Sequence, residues 1–484
     1  MGRATDEYGA LEVSSVGTRA RWWEVVFVDR EGEARALVVL RDADGSIVES
    51  WSGWQVETKL ARGYEGAVGG VTASLWLWIP LCLLFLAPFV DLRRPWRPLH
   101  LDLLALLAFG VSFAFFQAGR IGISVPLVYP LLAYLLARLC WIGFRGPPQG
   151  EGQLVPHVGP RLLAIGSLLL AALYSALVLA AGKVIDVGIA SVIGADRLLD
   201  GQFVYGPGAS SGLPVLGDVY GPVNYLAYVP FDLALPWSGA WDSVPAARVA
   251  ALVFTLGTAL CLYVLGRRLD SGSSSRVLGP ALAFAWLAFP FTLLAAGSAF
   301  NDALVALLVV AALLVFASPP ARGALAALAG LGKYGPLVLV PLFAAGTGDR
   351  RPVKVLSFLA ALVVTAMLVT APFLLNVTPG EIYDRSLGYQ ASRGSPLSIW
   401  GQAPSLGFLQ TLVKLGAVVF GLALFFVPKS RSLVQVAALA AAALIAVELA
   451  ASHWLYPYLL WILPGALVAM FAPYVGLSRP SGSR

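Results

Sequence analysis

The chain has 484 residues, 58% of them hydrophobic and only 12% charged, with a net charge of +6 and a mean hydropathy of +0.78. Soluble domains carry roughly twice that share of charge, so an ordinary water-soluble fold is excluded and a polytopic membrane protein is expected. Cys82, Cys140 and Cys261 lie far apart in apolar runs, which argues against a disulfide framework, zinc site or iron–sulfur cluster, and no basic run has the length or aromatic interleaving for nucleic acid.

Residues 1–70 alternate apolar and polar positions in "ARWWEVVFVD" and "EARALVVLRDADGSIVESWSGWQV", broken at Gly32 and at the turn-like "DADG". This pattern predicts a small antiparallel β domain facing water. Apolar runs then follow at 72–90, 101–119, 124–143, 161–182, 246–266, 277–298, 301–317, 353–375, 404–427, 433–451 and 455–474, about eleven crossings if each one spans. The first three make a segment, 71–160, ahead of the main bundle at 161–484.

Two apolar stretches are interrupted. Residues 219–236 contain three prolines, and 323–346 are broken by Gly332, Lys333 and Pro336. Both read as short or re-entrant helices, tolerated at membrane depth when packed in protein or lining a wet cavity. If "DLRRPWRPLH" is cytoplasmic, alternation puts about sixteen basic residues inside against about five outside. The loops 183–245 and 376–403, the Asn301-Asp302 pair and His453 then share the external face, and the C-terminus is cytoplasmic. The β domain is exported too, either by the first helix or by an anchor upstream of this start.

The chemistry-bearing residues gather at that external face. Asp186 follows the 161–182 helix within "KVIDVGIASVIGADRLLDGQ", where a carboxylate meets headgroups and water and suits a general base. Asp196 beside Arg197 fits an ion pair or a catalytic acid equally, and Asp200 reads as loop charge. Asp218 opens a turn through Tyr220 into an aromatic stretch whose ordinary account is interfacial anchoring. Asn301 and Asp302 begin a helix, so capping and the helix dipole account for them unless the bundle brings them to the cavity of Asp186. Lys333, alone among apolar residues and flanked by helix breakers, is expected to reach a phosphate rather than only to snorkel; Lys414, without such breakers, is expected to snorkel. Tyr383, Arg385, Tyr389, Arg393, Trp400, His453 and Tyr456 supply phosphate-binding and sugar-stacking types, with headgroup anchoring as the plainer alternative for the aromatics. The "NVT" at Asn376 matches a glycosylation sequon, a weak signal by itself.

The order of these pieces, an aspartate at the start of the first large loop, "YGPVNYLAYVPF", "NDALVALLVVAALLVF", "ALAGLGKYGPLVLVPLF" and "HWLYPYLLWILPG", resembles the GT-C superfamily of integral-membrane glycosyltransferases. It is most like the bacterial mannosyltransferase-like branch that uses polyprenyl-phosphate sugars. The resemblance covers about residues 161–474. It implies a GT-C-like helical bundle in the plasma membrane that moves a sugar, mannose by analogy, from a polyprenyl-phosphate carrier to a hydroxyl of a lipid, glycan or protein acceptor on the external face. The resemblance places the catalytic base on Asp186, with Asp196 and Asp218 as further acids. Carrier phosphate falls to Lys333, Arg385, Arg393 and His453, and the substrate lining to Tyr220, Asn301, Asp302, Tyr383 and Tyr456. Many members need no cofactor and others use a divalent ion; the lack of a paired acid at the loop start favours the metal-free kind. The N-terminal sheet is loosely similar to PepSY-like domains, with a regulatory or docking role implied. The rival readings are a transporter or flippase, whose charges belong near the midplane, and a non-catalytic scaffold for the β domain.

Overall fold

A computed structural model describes residues 10–19, 22–30, 34–52, 69–118, 120–147, 152–181, 184–205, 218–239, 244–270, 276–375, 377–392 and 395–475. The N-terminal part is a four-stranded antiparallel meander, β1 (Glu12–Arg19), β2 (Trp22–Val28), β3 (Ala34–Arg41) and β4 (Ile47–Ser52), in spatial order 1-2-3-4. The central strand β3 buries Ala36, Leu37, Val38 and Val39. The "DADG" turn forms as its residues demand: Gly45 takes φ +67°, and Asp44 Oδ1 accepts from the Ser46 amide at 3.0 Å and its hydroxyl at 2.7 Å.

The rest is helical: α1 (Leu75–Leu86), α2 (Pro98–Gln117), α3 (Ile121–Arg145), α4 (Pro160–Ala181), α5 (Asp186–Leu199), α6 (Pro222–Leu226), α7 (Val229–Ala234), α8 (Pro245–Leu269), α9 (Leu278–Ala288), α10 (Pro290–Gly297), α11 (Asp302–Leu314), α12 (Pro319–Gly332), α13 (Val340–Ala345), α14 (Pro352–Thr370), α15 (Gly407–Ala423), α16 (Leu433–Ala450) and α17 (Leu459–Phe471). Among the described residues, eight helices are long and apolar enough to cross a membrane, or nine if the pair α9 and α10, bent by 58° at Phe289-Pro290, is one span. About eleven were expected. The shortfall lies at α1 and α11, of 12 and 13 residues, which rise only about 20 Å at 1.5 Å per residue.

The packing explains which apolar runs face what. Every residue of α9 and of α17 is buried, the mark of a central helix that is hydrophobic all round. By contrast α14 keeps only Phe358 buried and α15 only Ala417 and Gly421, so these two form the outer wall. One apolar core runs from Leu77 through Val475, so α1–α3 share it with the later helices. Polar ties cross as well: Gln435 Nε2 donates to Gly143 O at 2.9 Å, and Gln402 Nε2 to Ile121 O at 3.1 Å.

The interrupted stretch 323–346 folds as expected, into two short helical limbs. Gly332 ends α12, Lys333 is extended (φ −140°, ψ 135°), and Gly335–Leu339 makes a 3₁₀ turn that runs into α13. The limbs double back, because buried Arg322 near the start of α12 donates from Nε to Phe343 O of α13 at 2.6 Å and from Nη1 to Phe316 O at 2.7 Å. Lys333 therefore sits at the apex of a helical hairpin. The other interrupted stretch, 219–236, breaks into α6 and α7 as its prolines require.

Candidate functional site

Small residues and buried amides set the position of Asp186. The Ile185 amide donates to Ser298 O at 3.0 Å, and a Cβ on Gly188 would stand 2.8 Å from Ala299 O, so only glycine lets α5 lie against the segment after α10. Ala299 itself is left-handed at φ +53°, a backbone state uncommon outside glycine, and it turns the chain sharply into α11. Asn301 does not cap α11 with its side chain. Its Nδ2 donates instead to Asn224 Oδ1 at 2.6 Å, Asn224 Nδ2 donates to Ser191 Oγ at 2.9 Å, and Ser191 Oγ donates to Val187 O at 2.7 Å. This relay locks the start of α11 to the helix that begins with Asp186.

Those two helix starts, the hairpin apex and the ends of α15 and α16 enclose a cavity of about 620 Å³, whose wall includes Asp186, Tyr220, Asp302, Lys333, Lys414, Glu448 and His453. Asp302 is fully buried; its Oδ1 takes Lys333 Nζ at 2.7 Å and Trp461 Nε1 at 2.8 Å. The Lys333 ammonium lies 5.2 Å from the Tyr458 ring centre and 5.6 Å from that of Trp461, so two aromatic faces share its charge. An ammonium has three donors, and one is committed to Asp302, which leaves capacity for an anion in the cavity. His453 Nδ1 is 2.8 Å from Ser395 Oγ. The α15 wall is apolar and open: Val418 and Leu422 line the cavity and are both 56% exposed.

The structure thus brings together Asp186, Tyr220, Asp302, Lys333 and His453, and it places the other predicted residues elsewhere. Asp218 and Arg385 lie outside the wall and pair with each other, Nη1 to Oδ2 at 2.5 Å. Asp196 is half-buried on α5, away from the cavity; burial, then the neighbouring Asp200, pushes its carboxyl above the ordinary range. Tyr383 is exposed and outside the wall. Tyr456 was expected at the substrate, but its hydroxyl bonds Ser112 Oγ at 2.8 Å and Ser124 Oγ at 2.7 Å, and it borders a separate void of about 20 Å³. Trp400 is likewise buried, donating Nε1 to Leu449 O at 2.9 Å. Arg393, together with Lys183 and the sequon Asn376, lies outside the described residues.

Two corrections concern lysines. Lys333 is not a lone charge in the fold, since Asp302 pairs with it from another helix; Lys414, expected to snorkel, lines the cavity. Glu448, Tyr334, Tyr458 and Trp461 also line it and went unremarked in the sequence. A lone acid in the alanine-rich α16 is the signal that could have found Glu448.

No protein-family model, curated protein or solved structure matches this chain. The site must speak through its chemistry. Among the described residues no three His, Cys, Asp or Glu side chains are grouped to hold a metal ion. What the wall offers is a carboxylate at a helix start, a paired ammonium with spare donors, aromatic faces and an exposed apolar side.

Proposed function

We propose that this protein is an integral-membrane glycosyltransferase that moves a sugar from a polyprenyl-phosphate carrier to an acceptor hydroxyl. The observation that carries the reading is a single cavity with Asp186 and Lys333 on its polar wall and the exposed Val418 and Leu422 on its open side. A carrier lipid needs that shape, because its chain stays among lipids while its phosphate and sugar enter a polar pocket. A midplane transport path would instead need charges strung along the bundle.

In the proposed step Asp186 takes the proton of the acceptor hydroxyl. The acceptor oxygen forms a bond to the anomeric carbon, the bond from that carbon to the phosphate oxygen breaks, and polyprenyl phosphate leaves with the electron pair. Lys333 neutralises the charge that gathers on the phosphate. Asp186 Oδ1 already accepts from the Val187 amide at 2.8 Å, which fixes the carboxylate at the helix start. Single displacement inverts the anomeric centre. Arg385, clamped to Asp218, holds the segment that carries Leu387 and Gln390 of the wall and is assigned positioning rather than phosphate contact.

The reading sets the cavity at the external face of the plasma membrane, about eleven crossings with the short α1 and α11 included, and the N-terminal sheet as an external docking or regulatory module. Mannose is the sugar by analogy alone. Its test is sugar transfer from synthetic polyprenyl-phosphate donors in membranes with wild type or Asp186→Asn at matched expression. Product from the wild type alone supports the reading. Equal product from both rules out Asp186 as the base, and none from either protein removes the transferase.

A further inference from the structure

The cavity wall carries a carboxylate that the transfer step does not use. Glu448 lies near the end of α16, is 1% exposed, and accepts from Trp454 Nε1 at Oε2, 3.0 Å away. Its Oε1 is buried with no hydrogen-bond partner, and so is Asp302 Oδ2, whose sister oxygen is committed to Lys333 and Trp461. Two acceptor oxygens on one cavity wall therefore wait for donors, and a buried acceptor left unmet is costly.

The missing donors have a definite chemistry. A phosphate brings only acceptors and negative charge, so it suits Lys333 and offers Glu448 no donor. A sugar ring brings several hydroxyl donors and an apolar C–H face. The wall supplies the counterpart of that face in Tyr458 and Trp461, stacked with ring centres 4.7 Å apart and an interplanar angle of 28°. We infer that Glu448 and Asp302 form a hydroxyl-reading subsite for the sugar of the carrier-linked donor, with Glu448 setting which donor is accepted. This rests on the proposed transferase reading and gives it a second, separable requirement.

The test titrates purified full-length protein with synthetic polyprenyl-phosphate mannose and with bare polyprenyl phosphate, following quenching of tryptophan fluorescence. Glu448→Gln keeps the shape and replaces one acceptor oxygen with an amide donor. It is expected to weaken the glycosylated carrier by about 10- to 100-fold, the scale of leaving a buried polar group without its partner, while the bare carrier binds as to wild type. Trp454→Phe, which frees Oε2 and lets Glu448 turn, should show the same selective loss to a smaller extent, and Glu448→Asp should restore part of it. Equal loss for both carriers, or none for either, overturns the subsite and leaves the transferase reading standing. If wild type binds neither carrier, that reading falls and the subsite with it.

Discussion

Lys333 at the apex of the helical hairpin is held 2.7 Å from Asp302 at the start of α11, with side-chain exposures of 12% and 0%. A pair this buried is a poor source of net stability but a severe loss when halved, because the survivor keeps an uncompensated charge away from water. Lys333→Met is therefore expected to cost about 3–5 kcal/mol. Adding Asp302→Asn should recover most of that, since the two residues act as a unit. Thermal unfolding in detergent of the two single variants and the double variant checks this; additive costs would show that the pair does not couple.

Arg385 and Asp218 form a different kind of pair, 37% and 13% exposed, so water screens it and its worth to stability is about 0–1 kcal/mol. Its effect is expected on KM instead. Leu387 and Gln390, just beyond Arg385, line the cavity, as do Val219 and Tyr220 just beyond Asp218. Arg385→Gln should raise the donor KM about fivefold, the equivalent of about 1 kcal/mol, with little change in melting temperature. The charge swap Asp218→Arg with Arg385→Asp should bring KM back toward wild type. A swap no better than the single variant would separate the clamp from binding.

These two pairs mark what the sequence can and cannot disclose. The break at Lys333 was legible because Gly332, Gly335 and Pro336 are local helix breakers, and the β-meander because alternation and a glycine turn are local too. Asp302 lies 31 positions from Lys333 and Asp218 lies 167 from Arg385, and no spacing rule reaches across such distances. Tyr456 was misplaced for the same reason: its partners Ser112 and Ser124 come from α2 and α3, which share the core with the later helices. Asn301 has the residue type of a cap, but a buried Asn224 within reach captured its amide. Span counts from the sequence and from helix length part at α1 and α11, where the apolar run continues past the point at which the helix stops.

Gly221 leads from Tyr220 into α6, and a Cβ there would run into the backbone carbonyl of Leu331, which cannot rotate aside. Gly221→Ala should therefore push the Tyr220 wall away from the hairpin apex, at about 1–3 kcal/mol for overpacking, and reduce transfer further than stability alone explains. Gly416→Ala on α15 is the control, because its Cβ would meet nothing within 4 Å. Melting temperature and initial transfer rate, read together, should fall for the first variant and hold for the second.

Two exposed or half-buried acids outside the spans titrate in opposite senses. Hydrogen bonds from Arg351, then from Lys354, hold Asp349 well below the ordinary carboxylate range. Its contribution to stability is present above the unfolded value of about pH 4 and is lost as pH falls through its lower folded value. Asp196 is raised, mainly by burial, so its contribution is present below the unfolded value and lost as pH rises through the folded one. Asp349→Asn should lower the melting temperature at neutral pH and lose that deficit in acid, whereas Asp196→Asn should raise it at neutral pH. Melting curves between about pH 1 and pH 7, reaching below the lowered Asp349 transition and above the raised Asp196 one, test the two signs, and a shared sign would contradict the electrostatic account.

The open α15 wall makes the most selective prediction. Val418 and Leu422 line the cavity and are half-exposed, so on the proposed entry route a bulky residue there obstructs a lipid chain while Asp186 and Lys333 are left unchanged. Val418→Trp faces outward enough to fold, since 56% of the valine is already exposed. Transfer from a long-chain polyprenyl donor should drop about tenfold or more, the kinetic equivalent of roughly 1–3 kcal/mol of steric conflict. A short-chain, water-dispersible donor carrying the same sugar phosphate has no tail to pass the tryptophan and should keep its rate. If both donors slow together, the tryptophan has deformed the cavity, and if neither slows, the carrier enters by another route.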